Sequence, residues 1–406
     1  MIPLETLRVA LRSLRAHPLR TFLTLLGVII GVMTVVTVVS IISGLNHYVR
    51  DKVMTLGADV FIVDKMGIIT GRDQLIEAIK RKNITLSDYE LVAAKCRLCD
   101  MVGGNVNGIK PVKYGTERLA DVVVNGATSN MLELGSLDIE LGRFLFDAEV
   151  THSRPVAVIG ADVRDELFPG IDPIGKVLKI DDTPYKVIGL LARKGSVFGE
   201  TQDKVVYVPL DTFIKNFGTR RSVEIYVKAG SEARMTMAQD EVRAIIRGIR
   251  DTSYKDRDPF DFVTAEALQT LWTSISGAAF SLMIFISSIS LIVGGIVIMN
   301  IMLVSVAERT HEIGVRMALG ARRSTIRLQF LLEAALMALA GGAIGVAIGA
   351  AIGEAISAFS PLPVAITGNV VLGSLGLATA VGVVSGVVPS IKASNLSPVD
   401  ALRQEG

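Results

Sequence analysis

Four apolar segments, at about 21–43, 273–304, 331–353 and 370–390, constrain this chain more than any other feature. Each reaches the roughly 20 residues that cross a hydrocarbon core as a helix, the form in which one segment satisfies its own backbone hydrogen bonds in lipid. More than 200 residues of ordinary globular composition separate the first two segments, enough to bury a core of their own. Hydrophobic residues make up 50% of the chain and charged ones 20%, so membrane and water-exposed parts share one polypeptide.

The distribution of charge sets the expected orientation. Arg8, Arg12, Arg15 and Arg20 precede the first span, and Arg309, Arg316, Arg322, Arg323 and Arg327 lie between the second and third; the 355–369 connection has no Lys or Arg. The positive-inside rule then puts both termini (1–20 and 391–406) and the 306–327 loop in the cytoplasm, and residues 58–264 outside it. The first apolar stretch follows a basic leader, as a secretory signal does. It is too long for one and has no small-x-small site near 38–46, so a retained span is expected. Ahead of it, Leu4, Leu7, Leu11 and Leu14 recur at helical spacing against Arg8, Arg12 and Arg15, the pattern of a helix on the inner membrane surface over residues 1–20.

The first two spans outrun the bilayer. Leu45, Val49, Val53 and Leu56 carry an apolar stripe past the first span to a stop at Gly57, and Leu268, Leu271, Trp272 and Ile275 do the same ahead of the second. Helices over 21–57 and 265–305 are therefore expected to rise as a stalk with these stripes buried against each other. Span three (328–354) carries Gly341, Gly345, Gly349 and Gly353, and span one carries Gly27 and Gly31, ladders that let helix backbones approach closely in lipid. Packing within one bundle and a seam between two copies both fit these ladders. Span four covers 369–390, and no ionisable residue lies in the middle of any span, which argues against an ion or proton pathway.

In the water-exposed part, 58–64 and 222–229 read as strands, and 85–95 reads as a helix with Thr85 and Asp88 placed for a capping box. The stretch 231–250 is helical, and 261–264 leads into the second span. Strand signals at 156–160, 176–180, 185–191 and 205–210 are separated by Gly, Asp and Pro turns. The order predicts an α+β domain interrupted by a β-rich insertion.

Signals of catalysis are absent from these 406 residues: no G-x-x-x-x-G-K-[ST] loop, no H-E-x-x-H and no G-x-S-x-G occurs. His17, His47, His152 and His311 lack metal-ligand spacing, and Cys96 and Cys99 form a lone C-x-x-C, two ligands short of a tetrahedral zinc site. In an oxidising outer compartment the two cysteines can form a disulfide. Two plain thiols at a helix end are the simpler reading. No metal or cofactor is expected.

Several segments resemble the permeases of the MacB, LolC/LolE and FtsX group of ATP-binding-cassette systems, and MacB above the others. They are LRSLRAHPLRTFLTLLGVIIG near the start, LGAD at 56–59, GRFLF at 142–146, VAVIGADVRDELFPGIDPIGKVLKI at 156–180, AERTHEIGVRMALGARR at 307–323 and VPSIKASNLSPVDALR at 388–403. The resemblance implies a helical membrane protein with four transmembrane helices and an extracytoplasmic α+β domain. In that domain 58–112 with 220–264 would be a porter part and 113–219 an inserted sabre part.

The resemblance further implies mechanotransmission: a separate cytoplasmic ABC ATPase, holding the ATP and Mg, pushes a helix around Glu308 to Gly320, and the stalk relays the stroke outward. The coupling set is then Glu308, Arg309, Glu312, Ile313, Gly314, Arg316, Met317 and Gly320. Glu312 and Arg316 stand one turn apart, Ile313 and Met317 offer an apolar face, and Gly320 suits a left-handed cap. Expected partners are the lipid bilayer and a second permease copy or paralogue; nucleic acid is not among them. The efflux form, for antibiotics, peptides or other amphipathic compounds, adds a periplasmic membrane-fusion adaptor and an outer-membrane duct. Lipoprotein release and FtsX-like control of a cell-wall hydrolase are the alternatives within the group.

Overall fold

The computed structural model describes residues 18–48, 57–197, 200–218, 220–359, 364–398 and 401. They fall into two compact units, one from Met1–Tyr48 with Ser274–Gly406 and one from Val49–Thr273. Helix α1 (Pro18–Tyr48) opens the first unit. The expected surface helix lies outside the described residues up to residue 17, as do Val49, Val53 and Leu56 of the first stripe.

The second unit is built on one ten-stranded sheet. In chain order its first half comprises β1 (Val60–Asp64), α2 (Arg72–Lys80), α3 (Leu86–Lys95), β2 (Met101–Tyr114), β3 (Glu117–Ala127), α4 (Met131–Leu134), β4 (Ile139–Gly142) and α5 (Asp147–Thr151). Next come β5 (Val156–Ile159), α6 (Ala161–Leu167), β6 (Val177–Ile180), β7 (Thr183–Leu191) and a small hairpin, β8 (Ser196–Val197) with β9 (Glu200–Thr201). The unit closes with β10 (Val205–Pro209), α7 (Leu210–Phe217), β11 (Glu224–Lys228), α8 (Met235–Ile249) and β12 (Asp261–Thr264). The strand order is β12-β1-β11-β2-β3-β10-β5-β7-β4, with β6 bridging β2 and β7. Among the described residues only β3 with β10 and β5 with β7 run parallel.

Strand β2 explains how an insertion grows from this sheet. Its first residues, 101–105, pair with β11, and Val112 and Lys113 pair with β6 instead, while β3 follows it on the other side. Residue 112, the expected seam between porter and sabre parts, lies inside this one strand. Tight two-residue turns close its neighbours: Gly115 with φ +58 between β2 and β3, and Asp181 and Asp182, both left-handed, between β6 and β7. The capping box at Thr85 and Asp88 is present. Asp88 is also buried against Arg250, whose Nη2 donates at 2.7 Å, so one carboxylate ends a helix and ties α3 to the end of α8.

Cys96 and Cys99 are joined in a disulfide at the end of α3, so the simpler reading of two plain thiols gives way. Glu241 of α8 fixes the bridged loop by accepting the Arg97 and Leu98 N–H groups at 3.1 and 2.8 Å.

Strand β12 runs directly into α9 (Ala265–Glu308), capped where Ala267 N–H donates to Thr264 Oγ1 at 3.0 Å. This single helix of 44 residues is about 66 Å long, twice the roughly 30 Å hydrocarbon thickness. Of the second stripe, Leu268, Leu271 and Trp272 are half-buried and Ile275 is 55% exposed.

Helices α10 (Thr310–Ala318), α11 (Arg323–Phe359) and α12 (Gly368–Ser394) complete the first unit. Together with α1 and α9 they include four helices long and apolar enough to cross a membrane. Their ladder glycines sit against neighbouring segments inside the bundle. A Cβ on Gly345 would stand 2.9 Å from the Ile29 carbonyl oxygen and 3.0 Å from Val32 Cβ, and one on Gly349 would stand 3.0 Å from the Met33 carbonyl oxygen. Gly341 meets Leu25 and Val28, and Gly353 meets Val364, while Gly27 lies against Gly294 and Gly31 against Leu291. These ladders therefore join α11 to α1 and α1 to α9 within one chain. A seam between two copies is not where they point.

Candidate functional site

Arg309 (φ −104, ψ 17) separates α9 from α10, and the short helix that follows is fixed from three directions. Thr310 Oγ1 reaches back to the Val306 and Ala307 carbonyls at 3.0 and 2.9 Å. At the far end, Gly320 adopts φ +93, Gly320 N–H donates to the Met317 carbonyl at 3.1 Å and Ala321 N–H to the Arg316 carbonyl at 3.0 Å. That pair of bonds is a Schellman cap, which only a residue at ease in the left-handed region closes without strain. From behind, Ile313 is 1% exposed in the bundle core, with Met317 packed against the same cluster.

Gly314 is buried because a side chain there would strike Ala401, 2.6 Å from its Cβ position. Segments 307–323 and 388–403, far apart in sequence, meet at this point. A second link lies close by, where Arg327 Nε donates to the buried Ser394 Oγ at 2.8 Å. Helix α10 is thus part of the bundle rather than a free loop.

This arrangement corrects the expected apolar contact face. Ile313 and Gly314 are buried in the protein, and Met317 is partly buried against the same cluster. The outward face instead carries His311, Glu312, Val315 and Leu319, the last 83% exposed. Glu312 and Arg316 form an ion pair of 3.9 Å, open to water and of the class that contributes at most about 1 kcal/mol. Arg316 Nη1 also donates to Gln329 Oε1 at 3.2 Å, bracing α10 against α11. Glu308 is exposed at the end of α9, and Gly320 is exposed at the cap.

Sequence reasoning missed the partner of Arg309. Its Nη1 lies 3.4 Å from Oε1 of Glu333, a carboxylate buried near the start of α11. Glu333 sits only two residues inside the third apolar segment, where it reads as an unremarkable flank; the basic turn 24 residues earlier was the available signal. Among the described residues no group of three or more His, Cys, Asp or Glu side chains could hold a metal.

Residues 21–245 match the MacB-like periplasmic core domain and residues 284–398 the FtsX-like permease C-terminal domain. The macrolide export ATP-binding/permease protein MacB of Neisseria gonorrhoeae is 31% identical over 406 residues, spanning 99% of this chain and 61% of that protein. The uncharacterized ABC transporter permease YknZ of Bacillus subtilis is 31% identical over 405 residues and 99% of both chains. Among solved structures, the periplasmic region of MacB from Actinobacillus actinomycetemcomitans superposes with a TM-score of 0.46 at 17% identity, over 55% of this chain and 96% of that one. This chain spans about three fifths of the MacB proteins it matches (61%). It belongs to the MacB/FtsX family of ABC transporter permeases.

Proposed function

We propose that the chain couples the stroke of a cytoplasmic ABC ATPase, carried on a separate subunit, to movement of residues 58–264 outside the inner membrane. The work is efflux of antibiotics, peptides or other amphipathic compounds. One observation carries the coupling half: α10 is locked from behind by Ile313 and Gly314 and exposes Glu312, Val315 and Leu319 outward. A helix held this way transmits a push into the bundle instead of absorbing it by local unfolding. The printed name of the MacB relatives supports efflux, and the Cys96–Cys99 disulfide supports an oxidising outer location for its unit. The porter and sabre division at 58–112 with 220–264 and 113–219, a second permease copy, and an adaptor with an outer-membrane duct belong to the same reading.

The test uses Glu312→Lys and Leu319→Glu in the full chain, purified with its ATPase. Both substitutions fall on exposed positions, so membrane insertion and melting temperature should stay unchanged. ATPase copurification should drop at least tenfold. Undiminished copurification with both variants removes α10 from the coupling role.

A further inference from the structure

In the sheet unit, the parallel strands β5 and β7 end side by side, with Ile159 paired to Leu190. Beyond their ends lies a polar cavity of about 200 Å³, lined by Leu137, Asp138, Lys194, Gln202, Val205 and Tyr207 among others. Nothing in the coupling mechanism uses it.

The cavity has a built wall. Asp203, only 3% exposed, accepts the Lys194 and Gly195 N–H groups at 2.7 and 2.8 Å, holding the loop that carries Lys194. Gly160 adds to this wall, since any side chain there would collide with the Asp203 backbone. Tyr207 is braced by Phe144, their ring centroids 5.8 Å apart.

Lys194 is the informative residue. Its ammonium meets the Gly135 carbonyl at a long 3.4 Å, and it forms no ion pair among the described residues. Burial depresses its pKa, opposed by the nearby charges of Asp138 and Asp203. An ammonium on the wall of a cavity, with only this long carbonyl contact, has donors to offer a carboxylate placed there. The two aspartates leave the site net negative, which disfavours a dianion such as phosphate and admits a carboxylate best when the same ligand carries a cationic group, as an amino-acid or dipeptide zwitterion does. The size narrows the choice further, because pockets for drug-sized molecules run to roughly 300–1,000 Å³.

We propose that this cavity binds the carboxylate end of an amino acid or dipeptide, with Lys194 on the carboxylate, Gln202 beside it, and Leu137 and Val205 against an aliphatic side chain. The site is independent of the export reading: it is tested by equilibrium binding, without ATPase or transport.

The experiment is calorimetric titration of the full chain in nanodiscs with alanyl-alanine, its C-terminal amide and inorganic phosphate. The acid should bind saturably, the amide at least tenfold more weakly, and phosphate more weakly than the acid. Lys194→Met and Lys194→Gln should abolish the preference for acid over amide. The proposal fails if alanyl-alanine does not bind, if acid and amide bind alike, if phosphate binds more tightly, or if a folded Lys194 variant keeps the preference. Should both variants misfold, the acid and amide comparison on the unsubstituted chain still decides.

Discussion

The helical bundle and the turns of the sheet unit use the same residue, glycine, for opposite reasons. In the bundle, Gly345 and Gly349 have ordinary helical backbones but no room, since α1 lies where their side chains would be. At Gly115, in the turn between β2 and β3, nothing lies within 4 Å of a Cβ, and the backbone conformation alone excludes most side chains. The lesson is that lipid removes the hydrophobic drive between helices and leaves contact distance to hold them. Water restores that drive, and at a sheet turn such as Gly115 glycine answers to backbone conformation instead of contact distance.

The contrast can be broken by substitution, beginning with the largest effect. Gly345→Val forces α11 away from α1 and should cost about 3 kcal/mol or more, read as lost assembly or a much lower melting temperature in detergent. Gly345→Asn should do no better. Gly115→Ala should cost about 1 kcal/mol, and here Gly115→Asn should recover most of the loss because Asn tolerates the left-handed region. Equal damage from Asn at both positions would show that the two glycines do one job.

The smallest effect concerns charge in the sheet unit. Burial raises the pKa of Glu224, which accepts from Asn105 at 3.0 Å and Asn107 at 3.2 Å. Because the folded state holds its proton to higher pH than the unfolded chain, stability is lost as pH climbs from the ordinary glutamate range through the raised value. Glu224→Gln should therefore stabilise the protein at pH 7 by on the order of 1 kcal/mol, with the gain fading near about pH 4. Melting curves across that range check the sign. A gain that grows on acidification would reverse the assignment.

Much of this architecture was legible because long apolar runs, a capping box and a glycine cap are local signals. The four spans, the Thr85 and Asp88 box and the left-handed Gly320 all depend on neighbours within a few residues. Strand β2 escaped because Gly103, Gly104, Asn105, Asn107 and Gly108 have low strand propensity. Tertiary contacts override it: a Cβ on Gly103 would fall 2.6 Å from Leu134 and one on Gly108 2.7 Å from Arg221. The direction of Ile313 and Met317 was lost for a related reason. An amphipathic helix shows that it has an apolar face, but not whether that face meets its own bundle or another protein.

The buried pair of Arg309 and Glu333 also bears on biogenesis. A carboxylate entering the bilayer alone is expensive, and 24 residues of chain separate it from its guanidinium. The ribosome makes the arginine first, so the counter-charge is already present when the third hydrophobic helix leaves the translocon. The order of synthesis thereby spares this helix an unneutralised stage, and swapping the two side chains would preserve the final contact while putting the carboxylate ahead of its cation.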